Sequence, residues 1–175
     1  MRRAVFLDRD GVLIEAVIRK NKPYPPSSLE TMNFTPGALS ALKKLKKAGF
    51  LLIVITNQPD VGRGTQDKAV VDLMHARLFN LLPIDDIKVC FTAYDTEECT
   101  RRKPKPGMLI EAAREWNIDL SRSIMVGDRW RDIEAGQRAG CQTVFIDNAY
   151  DERKPQKFDF CAQSLGDALS NILGN

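Results

Sequence analysis

The sequence predicts an α/β fold of the Rossmann-like, doubly wound kind, with a mainly parallel sheet covered by helices on both faces. Three observations lead there. Short apolar runs of strand length, at residues 4–7, 50–55 and 123–127, are continuous rather than alternating, as strands buried on both faces are. Longer stretches with helical periodicity lie between them, the sign of a parallel sheet. Each run stops at residues with polar chemistry, and in such sheets the carboxyl ends of the strands are where sites assemble.

In order, Ala4-Val5-Phe6-Leu7 is the first strand, and residues 13–34, with Pro23, Pro25 and Pro26, form a polar loop. Thr35 and Pro36 start a helix with Leu39, Leu42, Leu45 and Ala48 on one side and Lys43, Lys44, Lys46 and Lys47 largely on the other, ended by Gly49. The buried strand 50–55 follows, then a helix over about 65–81 and a strand over 87–92. Pro106 starts the next helix, with Met108, Leu109, Ala112, Ala113 and Trp116 at helical spacing. After the strand 123–127 come a helix over 132–139 stopped by Gly140, a strand over 142–146, and a capping box at Ser164-Leu165-Gly166-Asp167 before Leu165, Ala168, Leu169 and Ile172. With no repeat or linker in view, residues 1–175 read as a single domain, and loop 13–34 is too short for a separate cap domain.

Composition narrows the function. The chain has 175 residues, 43% of them hydrophobic, enough for one sizeable core. Its formal charge of +3, from 26 basic and 23 acidic residues, implies no nucleic-acid affinity by itself. The run 50–55 is far below the ~20 residues that span a bilayer, and Asp8 interrupts the first apolar run too early for a signal peptide. Four scattered cysteines, Cys90, Cys99, Cys141 and Cys161, suit a reducing cytoplasm.

The chemistry lies at the strand ends. Asp8-Arg9-Asp10-Gly11 follows the first strand, and residues two apart in extended chain share a face, so Asp8 and Asp10 converge as carboxylate nucleophile and helper acid while Arg9 points elsewhere. Close carboxylates need a compensating cation, and the hard, oxygen-seeking one is Mg²⁺. Asp128, after Gly127, supplies a third acid, with Asp132 near the next helix start placed to orient the metal's water shell. Thr56, Asn57 and Gln58 end the strand 50–55 with groups that donate to an oxyanion, and Lys103, beside Arg102, is the cation best placed to neutralise phosphate. Arg63 and Lys105 read as solvated charges, His75 as an exposed or packed bystander, and Trp116 as core.

Asp8-Arg9-Asp10-Gly11-Val12, Thr56-Asn57-Gln58, Lys103 and Gly127-Asp128-Arg129-Trp130-Arg131-Asp132 resemble the four ordered motifs of the haloacid dehalogenase superfamily over essentially the whole chain. Residues 56–64 (TNQPDVGRG) and 102–108 (RKPKPGM) are similar to its small phosphatases for heptose bisphosphate or histidinol phosphate, with Pro-Gly-Met tilting toward the heptose branch. The resemblance implies a Mg²⁺-dependent phosphatase working through an aspartyl phosphate, with D-glycero-D-manno-heptose 1,7-bisphosphate cleaved to the 1-phosphate. Asp8, Asp10, Thr56 and Lys103 would be catalytic; Asp8, Asp128 and the Asp10 backbone carbonyl would hold the metal. Thr56, Asn57, Gln58, Arg102, Lys103 and Arg129 would bind substrate, with Glu15, Lys20, Asn21, Lys22 and Tyr24 on the rim. The small phosphatases usually carry a zinc loop of three cysteines and a histidine; residues 90–101 offer only Cys90 and Cys99, with Thr92 and Arg101 where the histidine and last cysteine would stand, so zinc is expected to be absent. The expected setting is a cytoplasmic enzyme, favoured as a monomer, with a small phosphorylated substrate and no nucleic-acid or membrane partner. The alternatives are a histidinol-phosphate phosphatase and, from another class, a receiver-like phosphoacceptor domain, against which the helper acid Asp10 argues.

Overall fold

The computed structural model describes residues 1–174. Its strands are β1 (Ala4–Leu7), β2 (Val17–Arg19), β3 (Lys22–Tyr24), β4 (Leu51–Asn57), β5 (Asp86–Cys90), β6 (Ile124–Gly127), β7 (Gln142–Ile146) and β8 (Phe160–Ala162). Its helices are α1 (Ala38–Lys47), α2 (Pro59–Gly62), α3 (Lys68–Leu81), α4 (Gly107–Trp116), α5 (Trp130–Ala139) and α6 (Leu169–Leu173). Six strands form one sheet in the order β5-β4-β1-β6-β7-β8, every pairing parallel. From β1 the chain builds outward to β4 and β5 on one side, then returns to lay β6, β7 and β8 on the other. The strand order therefore reverses at β1, which opens a crevice beyond the carboxyl ends of β1, β4 and β6.

Alternation along the central strands splits the core in two. Val5 and Leu7 of β1 and Leu52 and Val54 of β4 pack with Leu42, Leu45, Met74, Leu78 and Ile172, the face covered by α1, α3 and α6. Ala4 and Phe6, with Ile53 and Ile55, pack with Met108, Leu109, Ala112 and Ala135 under α4 and α5. All four β1 residues are buried, and each fully buried large apolar side chain contributes roughly 1.5–3 kcal/mol of transfer free energy. The site strands are thereby fixed from both sides.

Several boundaries differ from expectation for local reasons. Thr35 spends its hydroxyl on the Val12 carbonyl (2.7 Å) instead of capping a helix, so α1 begins only after Gly37. Its buried stripe is then Ala38, Ala41, Leu42 and Leu45, which leaves Leu39 40% exposed rather than in the core. β5 stops at Cys90, short of residue 92. Half of the box at Ser164 forms, its hydroxyl accepting from the Asp167 N–H (3.1 Å) and donating to Asp167 Oδ2 (2.8 Å), but regular helix starts only at Leu169. Loop 13–34 is not wholly irregular: β2 and β3 make an antiparallel hairpin, turned by Lys20 and Asn21 at positive φ. The Asp151 N–H donates to the Asn21 carbonyl (2.9 Å) and ties this hairpin to the loop after β7.

Ser123 ties the two acid-bearing strands together. Fully buried, its Oγ accepts from the Ala4 N–H (3.0 Å) and donates to the Asp119 carbonyl (2.6 Å). Ser123→Ala leaves the buried Ala4 N–H unpaired, while the Asp119 carbonyl keeps the Arg122 N–H (3.2 Å), and is expected to cost about 1–3 kcal/mol. A lower urea midpoint at unchanged slope is the expected outcome, and an unchanged midpoint would show the bonds to be idle.

Candidate active site

Because β1, β4 and β6 end side by side, their terminal residues meet at one place. Asp8 continues β1, its N–H donating to the Val126 carbonyl of β6 (2.9 Å), and Asp128 follows β6 directly. Asp132 lies in the first turn of α5, where its Oδ2 accepts from the Arg129 N–H (3.0 Å) and satisfies a helix-start donor. All three acids are buried, and an oxygen from each lies within 4.8 Å of the others.

Lys103 enters this cluster from the far end of the β5–α4 connection. Its buried Nζ donates to Asp8 Oδ1 (2.7 Å) and the Ile55 carbonyl (2.7 Å), and it pairs with Asp132 Oδ1 (2.6 Å). Burial would lower its pKa, but Asp132 and Asp8 outweigh that and push it above the ordinary lysine value. Asn57, the last residue of β4, fixes the lysine's backbone with a reciprocal pair: its amide nitrogen donates to the Lys103 carbonyl and its amide oxygen accepts from the Lys103 N–H, both at 3.1 Å. The Asn57 side chain is thus committed to protein contacts while still bordering the cavity.

One ammonium does not balance three carboxylates. Burial and the Asp132 charge raise the Asp8 pKa to about 6, although Lys103 pulls it down. Asp128 is raised well above the usual carboxylate range, by burial first and then by Asp8 and Asp132. Among the described residues, Asp128 Oδ1 is the one buried side-chain polar atom without a hydrogen-bond partner. An orphaned hard oxygen amid surplus negative charge fits a divalent cation such as Mg²⁺. Close approach here demands glycine: Gly11 has φ +86, and a Cβ there would lie 1.8 Å from Asp128 Oδ2.

The other candidates fall around this core. The Asp10 carboxylate accepts from Arg9 Nε (3.2 Å) and Nη2 (3.1 Å) and from Gln58 Nε2 (2.8 Å). Gln58 is buried and also donates to Thr56 Oγ1 (2.9 Å), so its amide joins Asp10 to Thr56 and lies behind the cavity wall. Thr56 is buried as well. The cavity itself, about 310 Å³, has Asp8, Lys103 and Asp128 at its floor and a cationic rim that includes Lys22, Arg63, Arg102, Arg129 and Arg131. Arg102 donates to the Thr92 carbonyl (2.7 Å), and Arg63, paired with Asp60 (2.9 Å), is a rim residue as well as a surface charge. Lys105 lies off the cavity, paired with Asp95. Lys22 and Tyr24 border the cavity; Lys20 and Asn21 form the hairpin turn, and Glu15 lies in a separate groove beside Gly11.

Sequence reasoning missed several residues. Glu152 grips Arg129, whose Nε donates to Oε2 at 2.7 Å, so that guanidinium is held rather than free. Asn148 Nδ2 donates to the Tyr150 hydroxyl (3.0 Å) and the Gly11 carbonyl (3.1 Å) and lies 3.4 Å from Asp128 Oδ2, which brings Tyr150 to the edge of the acid cluster. All three sit in the irregular loop after β7, where no periodic signal marks them. Arg9, expected to point elsewhere, is fully buried against Asp10 and His75. In the 90–101 loop, Cys90 Sγ lies 3.8 Å from Cys99 Sγ, and Cys99 reaches the Thr92 hydroxyl (3.3 Å). Arg101 donates to the Val89 carbonyl (3.0 Å) and pairs with Glu111.

A parallel sheet with a buried acid–lysine cluster at its switch point fits an α/β protein that handles phosphoryl groups. The chain belongs to the haloacid dehalogenase-like hydrolase family, whose model matches residues 27–140. It is 36% identical over 151 residues to a D-glycero-beta-D-manno-heptose-1,7-bisphosphate 7-phosphatase of Rhodopseudomonas palustris, across 79% of this chain and 80% of that one. It is 33% identical over 167 residues to a D-glycero-D-manno-heptose-1,7-bisphosphate 7-phosphatase of Thermosynechococcus vestitus, across 87% and 82%. The crystal structure of a D,D-heptose 1,7-bisphosphate phosphatase from B. bronchiseptica, complexed with magnesium and phosphate, superposes with TM-score 0.76 at 26% identity, covering 98% of each chain.

The surplus charge has a sign that can be measured. Asp8 is raised from 3.8 to about 6 on folding, so the folded protein favours its protonated form and loses stability as pH rises between those values. Asp8→Asn removes that loss. In EDTA the Tm of the Asn variant is therefore expected to gain on the wild type from pH 4 to about 6 and level off above, while added Mg²⁺ raises the Tm of the wild type more than that of the variant. Parallel Tm profiles would contradict the charge surplus.

Proposed function

We propose that this chain, as one domain over residues 1–175, hydrolyses D-glycero-D-manno-heptose 1,7-bisphosphate to the 1-phosphate through an aspartyl phosphate. The observation that carries the reading is the buried Asp8, Asp128 and Asp132 trio around Lys103 with its orphaned Asp128 oxygen. Relatives named for this activity, over about four-fifths of both chains, support the substrate. A Asp8 carboxylate oxygen attacks phosphorus, the bond to the sugar oxygen breaks, and Asp10 gives the leaving oxygen a proton. Asp10 then takes a proton from water, whose oxygen attacks the phosphoryl group and releases phosphate and the free Asp8 carboxylate. Thr56 holds a phosphoryl oxygen and the fixed Lys103 ammonium offsets phosphoryl charge, with Asn57 and Gln58 contributing through the placement of Lys103, Thr56 and Asp10. Asp8, Asp128 and the Asp10 backbone carbonyl, with Asp132 beside them, would hold Mg²⁺, which would neutralise phosphoryl charge there. Arg102 and Arg129 take the distal phosphate at the cationic rim.

Among the described residues no helix is long and apolar enough to cross a membrane. Free cysteines support a cytoplasmic setting. Zinc is not part of the proposal. Two thiols fall short of a four-ligand shell, and the Arg101 guanidinium occupies the neighbourhood of the 90–101 loop as a fixed cation. Metal analysis of the purified protein is expected to find no stoichiometric zinc; one tightly held equivalent per chain would overturn this.

Steady-state rates on both anomers of the heptose bisphosphate, on histidinol phosphate and on glycerol phosphates test the substrate. The bisphosphate is expected to lead in kcat/KM by about tenfold or more, and a tenfold lead for histidinol phosphate, about 1.4 kcal/mol, would reassign it. Asp8→Asn is expected to abolish turnover with an unchanged circular dichroism spectrum. Near-normal activity in that variant would remove Asp8 as nucleophile.

A further inference from the structure

We propose that Arg9 and His75 position the Asp10 carboxylate for proton transfer to the leaving oxygen, Arg9 directly and His75 through Arg9. The proposal rests on the reading of Asp10 as proton donor given above. Arg9 lies between the two site acids in sequence, yet none of it reaches solvent. Its guanidinium fork is divided: Nε and Nη2 donate to the two Asp10 oxygens at 3.2 and 3.1 Å, while Nη1 lies 3.2 Å from His75 Nε2. A guanidinium only donates, so His75 Nε2 must be the acceptor, which fixes the ring as neutral with its proton on Nδ1. Burial and the Arg9 charge agree with this, holding the His75 pKa down at about 4 despite nearby Asp10 and Asp72.

Gln58 Nε2 closes the other side of Asp10 at 2.8 Å, so the carboxylate is held by residues from the end of β1, the end of β4 and, through Arg9, the middle of α3. Asp10 needs such holding, because it stands beyond the last β1 residue, where a single isolated bridge to Ile14 replaces the pairing of a strand. Buried ion pairs are weak sources of stability, and a group that must meet a leaving oxygen gains most from being oriented beforehand. His75 also explains why a chain with one histidine keeps it on the buried face of α3. It supplies an acceptor of the right reach for the one guanidinium nitrogen that Asp10 leaves over.

Leaving groups separate positioning from general damage. p-Nitrophenolate departs without a proton, whereas an alkoxide needs one, so misplacing the acid slows alkyl esters selectively. His75→Leu removes the acceptor and is expected to lower kcat on the preferred alkyl phosphate roughly tenfold or more, with KM little changed and p-nitrophenyl phosphate reduced less than about threefold. His75→Gln, whose amide oxygen sits where Nε2 does, is expected to restore most of the alkyl rate. Should the leucine variant fail to fold, Arg9→Lys carries the same test, since it keeps the charge and loses the fork. Equal losses on both substrates, or an undiminished alkyl rate in a folded variant, would overturn the proposal. Asp10→Asn serves as the reference: if it shows no leaving-group selectivity, the proton-donor reading itself fails, and if it does while the His75 and Arg9 variants do not, only the positioning role fails.

Discussion

The Lys103 ammonium is the interaction on which the site depends. It is buried between Asp8 and Asp132 and donates as well to the Ile55 carbonyl, so it fixes two carboxylates from opposite ends of the chain relative to a β4 backbone group. Without it three acids would share a dry space, where like charges a few ångströms apart force protonation or displacement. Its three contacts use the three donors of an ammonium, which leaves the cation's position determined rather than merely favoured. The reciprocal amide bonds between Asn57 and the Lys103 backbone pass that determination into the connection after β5.

Around this centre, positioning falls to residues that face inward. Gln58 links Thr56 to Asp10, Glu152 holds Arg129, and Tyr150 with Asn148 closes on Asp128. The acids therefore stand in two tiers, a charged floor and a hydrogen-bonded support, and the support comes from α3, the end of β4 and the loop after β7. The rim arginines, with Lys22 and Tyr24, remain for contacts outside the floor, Arg131 being stacked on Trp130 at 4.8 Å.

What could be read from the sequence follows the physics of each segment. β1, β4 and β6 were legible because both of their faces are buried, giving unbroken apolar runs whose ends point at Asp8, Thr56 and Asp128. The hairpin at β2 and β3 was not, because Lys22, Pro23 and Arg19 carry no strand signal and its turn uses Lys20 and Asn21 at positive φ rather than a glycine. Leu39 misled because α1 begins later than Thr35 and turns a narrower stripe inward. Alternation does keep Arg9 off the cavity that Asp8 and Asp10 line, but it carries no sign that the guanidinium folds back onto Asp10 and His75. Glu152, Tyr150 and Asn148 belong to a loop whose partners are set by tertiary contact alone.

The two-stranded wing formed by β2 and β3 reaches the cavity with Lys22 and Tyr24 and is moored by the bond from Asp151 to Asn21. A moored wing of this size shades one edge of the opening and leaves the remainder to solvent. With Arg63, Arg102, Arg129 and Arg131 ringing that open side, discrimination among phosphate esters falls to charge at the entrance.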